Sequence, residues 1–331
     1  MEERTAQSLV HRLSSASDPT SLSEALAELR LLSKHDPDIR PLLISAGAVP
    51  LLLSSLSSSV SDQENAVAAL LNLSISSRAS LMSSPGLLDG LSHVLRHGLS
   101  PPAVQSSAAA LFSLLTVEDY RPVIGSRRDI VSALIDLIRP QNPKNTTRSV
   151  KDALKALFGI ALHPPNRSSM VGSGAVPALF DLIMKDGRIG VVEDSTAVIA
   201  QVAGCEESVG AFREVFGVVI LVDLVDPAEG GSSARTRENA ASALLNLARF
   251  GGEGVVKEIR RIDGSMGRIT DLMENGSARA KAKAGQLIDV LLMSSDGWDR
   301  WDCTEAKDNL HGFPDFSKRW VDCHTIYLDE F

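Results

Sequence analysis

The decapeptide ENAVAALLNL at residues 64–73 recurs almost unchanged as ENAASALLNL at residues 238–247. A second segment, GAVPLLLSSL at residues 47–56, recurs as GAVPALFDLI at residues 174–183. In the first pair the apolar residues follow one another at intervals of three and four, which is the spacing of one face of an α-helix. Two helical segments that each return along the chain indicate a repeated structural unit.

Weaker copies of this unit fill the rest of the chain. Equivalent positions fall at Gly47, Gly86, Arg128, Gly174, Phe216 and Gly264, at intervals of 39 to 48 residues. A helical repeat of roughly 40–47 residues is typical of HEAT and armadillo arrays. The longer intervals contain polar insertions rich in Gly and Pro, at residues 140–147 and 226–233, which we expect to form loops.

Each unit reads as three helices. A short first helix, for example 38–45, is followed by a second helix that has a proline in its first turn, as at Pro50 and Pro177. A longer third helix follows, as at 62–75. Its packed stripe is predicted to consist of Ala66, Ala69, Leu70 and Leu73.

The predicted fold is therefore all-α, a right-handed α-solenoid of armadillo repeats. Residues 1–35 contain only two helices, at about 2–14 and 19–34, and are predicted to be an N-terminal capping half-repeat. Residues 36–293 are predicted to form about six repeats, each stabilised chiefly by its neighbours. Residues 294–331 leave the repeat pattern and are predicted to be an irregular, disordered acidic tail.

Composition limits the class of protein. The 331 residues are 44% hydrophobic and only 4% aromatic, which argues against a β-sandwich or barrel. The longest apolar run is too short to span a bilayer, and no signal peptide opens the chain. Three cysteines without paired spacing fit a reducing compartment. We therefore expect a soluble monomer in the cytoplasm, the nucleus or both, with no membrane partner.

Net charge is concentrated at one end. The chain carries a net charge of −8, and residues 296–331 contain nine acidic and four basic residues. The remainder is nearly balanced, so a nucleic-acid partner is not expected.

The repeats resemble the armadillo region of plant U-box ubiquitin ligases. The resemblance is carried by ENAVAALLNLS at 64–74, by the two GAVP helices, by LRLLSKH at 29–35, by VKDALKALFG at 150–159 and by EDSTAVIAQVA at 193–203. It covers about residues 1–293. Members of that family carry a U-box before the repeats, whereas no segment of this sequence resembles one, so ligase activity does not carry over.

The resemblance implies a non-enzymatic scaffold or adaptor that binds partner proteins and is linked to ubiquitin signalling. The alternative is that the chain is the substrate-binding portion of a U-box ligase whose U-box is missing from this sequence. No catalytic residue, cofactor or metal site is predicted. His93 and His97 share a helix face but lack a third ligand, and Cys303, His311, Cys323 and His324 have irregular spacing. The glycine cluster at 250–254 is expected to break a helix rather than to hold a phosphate.

The candidate site is a row of polar residues along the third helices, here called the polar ladder. Its predicted members are Asn65, Asn72, Ser106, Ser113, Arg148, Asp152, Lys155, Asp194, Gln201, Asn239 and Asn246. In an armadillo array these helices line the concave groove, and Asn side chains can pair with both backbone groups of an extended peptide. We expect ladder substitutions to weaken partner binding without unfolding the array.

Two finer expectations concern this face. Arg148 and Lys155 lie seven residues apart on it, and as solvent-facing charges they are expected to contact an acidic partner segment. Alignment of the third helices places Asp289 at the position of Asn246. Nuclear-import receptors carry Trp one turn before their Asn, where this chain has Ala68 or its equivalents, so that function is not expected.

Overall fold

The computed structural model describes residues 2–226 and 232–293. The predicted disordered tail lies outside the described residues, as does most of the second insertion. Within the described ranges the chain is built of helices and their connections, with no strand, which confirms the predicted all-α class. In the same ranges no single helix is long and apolar enough to cross a membrane, although the bent pair Ile39–Ser45 and Ala48–Ser57 together reaches that length and composition.

The helices follow the predicted order. The first two are α1 (Glu2–Ser14) and α2 (Pro19–His35). The next three repeats contain α3 (Ile39–Ser45), α4 (Ala48–Ser54), α5 (Val60–Ser76), α6 (Arg78–Met82), α7 (Leu87–His97), α8 (Pro101–Leu115), α9 (Tyr120–Gly125), α10 (Arg128–Ile138) and α11 (Thr147–Ala161). The last three contain α12 (Pro165–Gly172), α13 (Ala175–Asp186), α14 (Ile189–Val202), α15 (Ser208–Glu214), α16 (Gly217–Val225), α17 (Ala234–Arg261), α18 (Ser265–Asn275) and α19 (Ala278–Leu292).

These helices form two compact units, divided between Gly159 and Ile160. In the first unit the third helices α2, α5 and α8 pack in succession, with α1 against α2 and α3. In the second unit α14, α17 and α19 pack in succession. The predicted stripe of α5 lies in the first core, where Ala66, Ala69, Leu70 and Leu73 are fully buried, so this prediction is confirmed.

The predicted helix break in the glycine cluster is also confirmed. Residues 234–261 form two helices joined at Gly252, whose backbone angles are φ 59° and ψ −152°. The first part is the third helix of one repeat and the second part is the first helix of the next. A positive φ at this point suits glycine, because other residues clash in the left-handed region.

Glycine also begins the second helix of most repeats. Gly47, Gly86, Gly174 and Gly264 precede α4, α7, α13 and α18, and each has a φ between 71° and 92°. The fifth repeat has Phe216 at this position, with φ 53°, which is the single positive φ of a non-glycine residue among the described residues. Its ring is 74% exposed, so its contacts offset little of the backbone strain.

We expect Phe216→Gly to raise the free energy of unfolding by about 0.5–1 kcal/mol, because relief of left-handed strain exceeds the added chain entropy of glycine. The reciprocal control is Gly47→Ala, whose added Cβ meets no atom within 4 Å and which should cost about 1–2 kcal/mol through backbone strain alone. Urea unfolding followed by circular dichroism measures both changes. A loss of stability in Phe216→Gly would show instead that the ring makes stabilising contacts.

Candidate functional site

The N-terminal ends of the third helices are tied to one another by serine. In three repeats the N-cap serine of the third helix accepts a hydrogen bond from a backbone N–H of its own helix. The same hydroxyl donates a hydrogen bond to a glutamate of the preceding third helix. The bonds are Ser100 Oγ to Glu64 Oε1 (2.6 Å), Ser233 Oγ to Glu193 Oε1 (2.6 Å) and Ser277 Oγ to Glu238 Oε2 (3.0 Å). A hydrogen bond to an ionised acceptor is stronger than a neutral one, so each serine both starts its helix and fixes it against its neighbour.

The polar ladder makes a second set of bonds, at the middle of the same helices. Asn72 Nδ2 donates to Arg30 O (3.3 Å) and to Ser33 Oγ (3.0 Å), and Ser113 Oγ donates to Ser74 O (2.9 Å). In the second unit, Asn239 Nδ2 donates to Glu193 O (3.1 Å) and Asn246 Nδ2 donates to Ala200 O (2.8 Å). Every one of these bonds joins two successive third helices. These four side chains therefore contribute to the stacking of the third helices, and the expectation that ladder substitutions leave the array folded stays a prediction.

Two further ladder residues accept hydrogen bonds from arginine. Asn65 Oδ1 accepts from Arg30 Nη1 at 3.1 Å, and Gln201 Oε1 accepts from Arg167 Nη2 at 3.2 Å. Both ladder side chains are buried, as is Asp194, whereas Ser106 is half-buried.

The expectation that Lys155 is a solvent-facing charge is wrong. Lys155 Nζ lies 3.1 Å from Asp152 Oδ1 and 5.7 Å from the ring centroid of Phe112, and its side chain is only 13% exposed. Asp152 also accepts from Gln105 Nε2 at 3.3 Å, so the charge of Lys155 is satisfied inside the first unit. Lys155 is thus not a solvent-facing charge, because its stem packs on an aromatic ring while its ammonium pairs one turn back. Arg148 is exposed, as expected.

A third set of bonds lies at the C-terminal ends of the third helices and comes from arginines of the short first helices. Arg40 Nε donates to Ser33 O (2.7 Å), Arg121 Nε to Leu115 O (3.4 Å) and Arg167 Nε to Ala161 O (2.9 Å). The last four carbonyls of a helix have no intrahelical partner and carry partial negative charge, so a cationic donor suits them.

Two of these arginines reach two third helices at once. Arg40 Nη1 also donates to Ser76 Oγ at 2.8 Å, and Arg167 Nη1 also donates to Gly204 O at 3.3 Å. Arg167 is almost fully buried, and this burial lowers its pKa to about 10. The guanidinium therefore remains charged at neutral pH, and its fork of donors holds the ends of two adjacent repeats together.

The serine–glutamate and arginine bonds were not predicted from the sequence. A signal for them exists, since an N-cap serine falls 36 to 40 residues after the glutamate it binds, about one repeat length. An arginine likewise occurs among the first three residues of α3, α6, α9 and α12. Serine and arginine do not belong to the apolar spacing from which the helices are predicted, so that pattern does not reveal these bonds.

His93 and His97 both lie on α7. The rings of His93 and His97 lie 5.3 Å apart, centroid to centroid. No group of three or more His, Cys, Asp or Glu residues in that part could hold a metal ion. The tail residues Cys303, His311, Cys323 and His324 lie outside it. Burial, followed by the nearby carboxylate of Glu207, raises the pKa of Cys205 to about 11, so its thiol is protonated at neutral pH.

Comparison with known sequences relates this chain to a family of plant proteins. Residues 6–262 match the family model described as the plant U-box protein ARM repeat region. U-box domain-containing protein 16 of Arabidopsis thaliana is 33% identical over 267 residues, which are 80% of this chain and 38% of that protein. U-box domain-containing protein 1 of Medicago truncatula is 35% identical over 290 residues, which are 87% of this chain and 40% of that protein. The chain spans about two fifths of the length of these curated relatives.

Solved structures support the fold. An engineered protein superposes with a TM-score of 0.76 at 21% identity, over 88% of this chain and 69% of that chain. A designed armadillo repeat protein, solved in complex with the peptide (KR)4, superposes with a TM-score of 0.54 at 15% identity, over 86% of this chain and 99% of that chain. The predicted armadillo-type repeat fold is thereby confirmed.

Asn246→Ala is expected to lower the free energy of unfolding by about 1–2 kcal/mol, since it leaves the buried Ala200 carbonyl without its side-chain donor. Ser106→Ala is the matched control, because Ser106 is a half-buried ladder residue, and it should change stability by less than about 0.5 kcal/mol. Chemical denaturation of both variants gives the comparison. Equal midpoints for wild type and Asn246→Ala would show that the amide contributes nothing to repeat stacking.

Proposed function

The chain belongs to the plant U-box protein ARM repeat region family, and from that membership we propose that it is a protein-recognition module. The armadillo repeat region is a non-catalytic binding fold. In this proposal an extended segment of a partner protein lies along the polar ladder of the third helices. The ladder's role in partner binding stays a prediction, and the contacts described above support it.

The observation that carries the proposal is the way each ladder amide is held. An amide side chain has a donor end and an acceptor end. In Asn72 and Asn239 the donor nitrogen is bonded to the preceding third helix, and both side chains are partly exposed. The carbonyl oxygen at the other end is therefore fixed in position before any partner arrives. Groups ordered in advance lose less conformational entropy on binding, which favours affinity.

The link to ubiquitin is the second part of the proposal. The curated relatives are U-box domain-containing proteins, and this chain matches about two fifths of their length. We propose that the partner held by the repeats is presented for ubiquitin transfer by a U-box. The alternative is a free-standing scaffold or adaptor that binds partner proteins without presenting them to a U-box.

The ladder proposal is tested by charge reversal at its exposed cation. Arg148→Glu should weaken binding of a partner captured from plant extract at least tenfold, because Arg148 is an exposed residue of the polar ladder. Arg96→Glu is the matched control, since Arg96 is an exposed arginine of the second helix α7 in the same unit, and its affinity should stay within about twofold. Calorimetric titration with the purified partner gives both values. Equal weakening by the two variants, or none, would place the contact away from the ladder.

We expect the 331-residue chain alone not to promote ubiquitin transfer, because the armadillo repeat region has no catalytic role. A reaction with ubiquitin, activating enzyme and a panel of conjugating enzymes, resolved by immunoblot, measures this. The control is the same reaction with a U-box protein of the family in place of the chain. Ubiquitin chains above background with this chain would contradict the prediction.

A further inference from the structure

The connection between α7 and α8 is short and open to solvent. It consists of Gly98, Leu99 and Ser100. The Leu99 side chain is 53% exposed, Ser100 is partly exposed, and Pro101 and Pro102 at the start of α8 are exposed. The Ser100 backbone is extended, with φ −145° and ψ 155°. A second protein can therefore reach the Ser100 hydroxyl and the residues on both sides of it.

Two hydrogen bonds hold this connection against the preceding third helix, α5. The backbone N–H of Leu99 donates to Gln63 Oε1 at 2.7 Å, and the buried Gln63 side chain is itself fixed by a bond from its Nε2 to Leu56 O at 2.6 Å. Beside it, Ser100 Oγ donates to Glu64 Oε1 at 2.6 Å. An ionised carboxylate only accepts hydrogen bonds, so the bond to Glu64 requires the proton on Ser100 Oγ.

One of the three serines that make this bond stands before a proline. Ser100 is followed by Pro101, whereas Ser233 and Ser277 are both followed by alanine. A serine directly before a proline is the sequence that proline-directed protein kinases modify. The Ser100 hydroxyl thus combines that sequence with an exposed, extended backbone and with a contact between two repeats.

The other serine before a proline in the sequence, Ser84, has a different setting. It lies in the turn between α6 and α7, where its backbone N–H donates to Leu81 O and its carbonyl accepts from the N–H of Leu87. Its hydroxyl donates to Ser80 O, within the same segment. Kinases bind the residues around their target serine as an extended strand, so the turn makes Ser84 the poorer substrate and a matched comparison for Ser100.

We propose that Ser100 is a phosphorylation site for a proline-directed serine kinase, and that the phosphate loosens the contact between α5 and α8. In the transfer, Ser100 Oγ forms a bond to the γ-phosphorus of ATP, and the bond from that phosphorus to the bridging oxygen breaks, so that ADP leaves. The hydroxyl proton passes to the catalytic aspartate of the kinase.

The phosphate acts differently on the two helices. It carries about −1.5 to −2 charges at pH 7, and its ester oxygen has no proton to donate, so Glu64 loses a hydrogen bond and gains a like-charged neighbour. On α8 the same phosphate lies beside free backbone N–H groups such as that of Ala103, which favour negative charge. Helix α8 itself therefore stays intact, and the repulsion falls on its contact with α5.

Phosphorylation of the folded full chain tests the site. The chain is incubated with magnesium, ATP and a panel of proline-directed kinases, and mass spectrometry of proteolytic fragments locates the phosphate. We expect Ser100 to carry about five times as much phosphate as Ser84 or more. A synthetic peptide of residues 94–106 shows whether each kinase accepts the local sequence. Phosphate on this peptide but not on Ser100 of the folded chain, phosphate on neither, or a preference for Ser84 would overturn the proposal.

The effect on the helix contact is tested with Ser100→Asp and its uncharged match, Ser100→Asn. Asp and Asn are equally good N-caps, but only Asn can donate to Glu64. Ser100→Asp should speed hydrogen exchange of the fragment that contains the Leu99 amide by about threefold or more over Ser100→Asn, because the bond to Gln63 opens more often. Adding Glu64→Gln to Ser100→Asp should remove this difference. Circular dichroism checks that each variant folds, and an Asp variant that unfolds while the double variant folds carries the same meaning. Equal exchange in the Asp and Asn variants, or no rescue by Glu64→Gln, would show that the α5–α8 contact does not respond to charge at Ser100.

Discussion

An α-helix ends with carbonyl groups that its own backbone cannot satisfy, and the stacking of this chain depends on how those groups are used. Arg40 and Arg167 donate to the C-terminal carbonyls of one third helix and to atoms at the end of the next. The same guanidinium thereby satisfies two helix ends and sets the distance between two repeats. Apolar packing alone is non-directional, so these directed bonds define the register that packing leaves open.

The serine and asparagine bonds extend this register along the whole length of the third helix. Ser100, Ser233 and Ser277 fix the beginnings of their helices, and Asn72, Asn239 and Asn246 fix the middles. These bonds order the side chains of the third-helix surface before a partner binds. The ladder residues that join successive repeats are thus also the residues proposed to bind the partner. A substitution in the polar ladder is therefore expected to change both the stability of the array and its affinity for the partner.

The sequence predicts the helices well because apolar spacing and cap residues are local signals. The helices expected at 2–14, 19–34 and 62–75 occur as Glu2–Ser14, Pro19–His35 and Val60–Ser76. The packed stripe of α5 and the helix break at the glycine cluster follow from the same local rules.

The side-chain partners were harder to predict because they are chosen between repeats. Lys155 pairs with Asp152 over the ring of Phe112, and Phe112 belongs to the preceding repeat. A helical wheel places Lys155 on the ladder face but cannot show that its charge is already paired there. The alignment of Asp289 with Asn246 is wrong by one residue. Asn246 is the thirteenth residue after its N-cap Ser233, and the thirteenth residue after the N-cap Ser277 is Val290. One residue turns a side chain by 100° around the helix.

The arginines that join helix ends are unevenly distributed along the chain. Among the described residues, Arg40 of α3 and Arg167 of α12 each reach two helix ends, while α15 has Ser208 and Val209 at its start and uses Arg213 for an exposed ion pair with Glu258. In a repeat protein, stability is a sum of terms between neighbours, so a weaker link lowers the free energy of local opening at that point. At this junction α17 is joined to α14 by Ser233, Asn239 and Asn246, so the stability of the last repeats depends on side chains of the third helix itself.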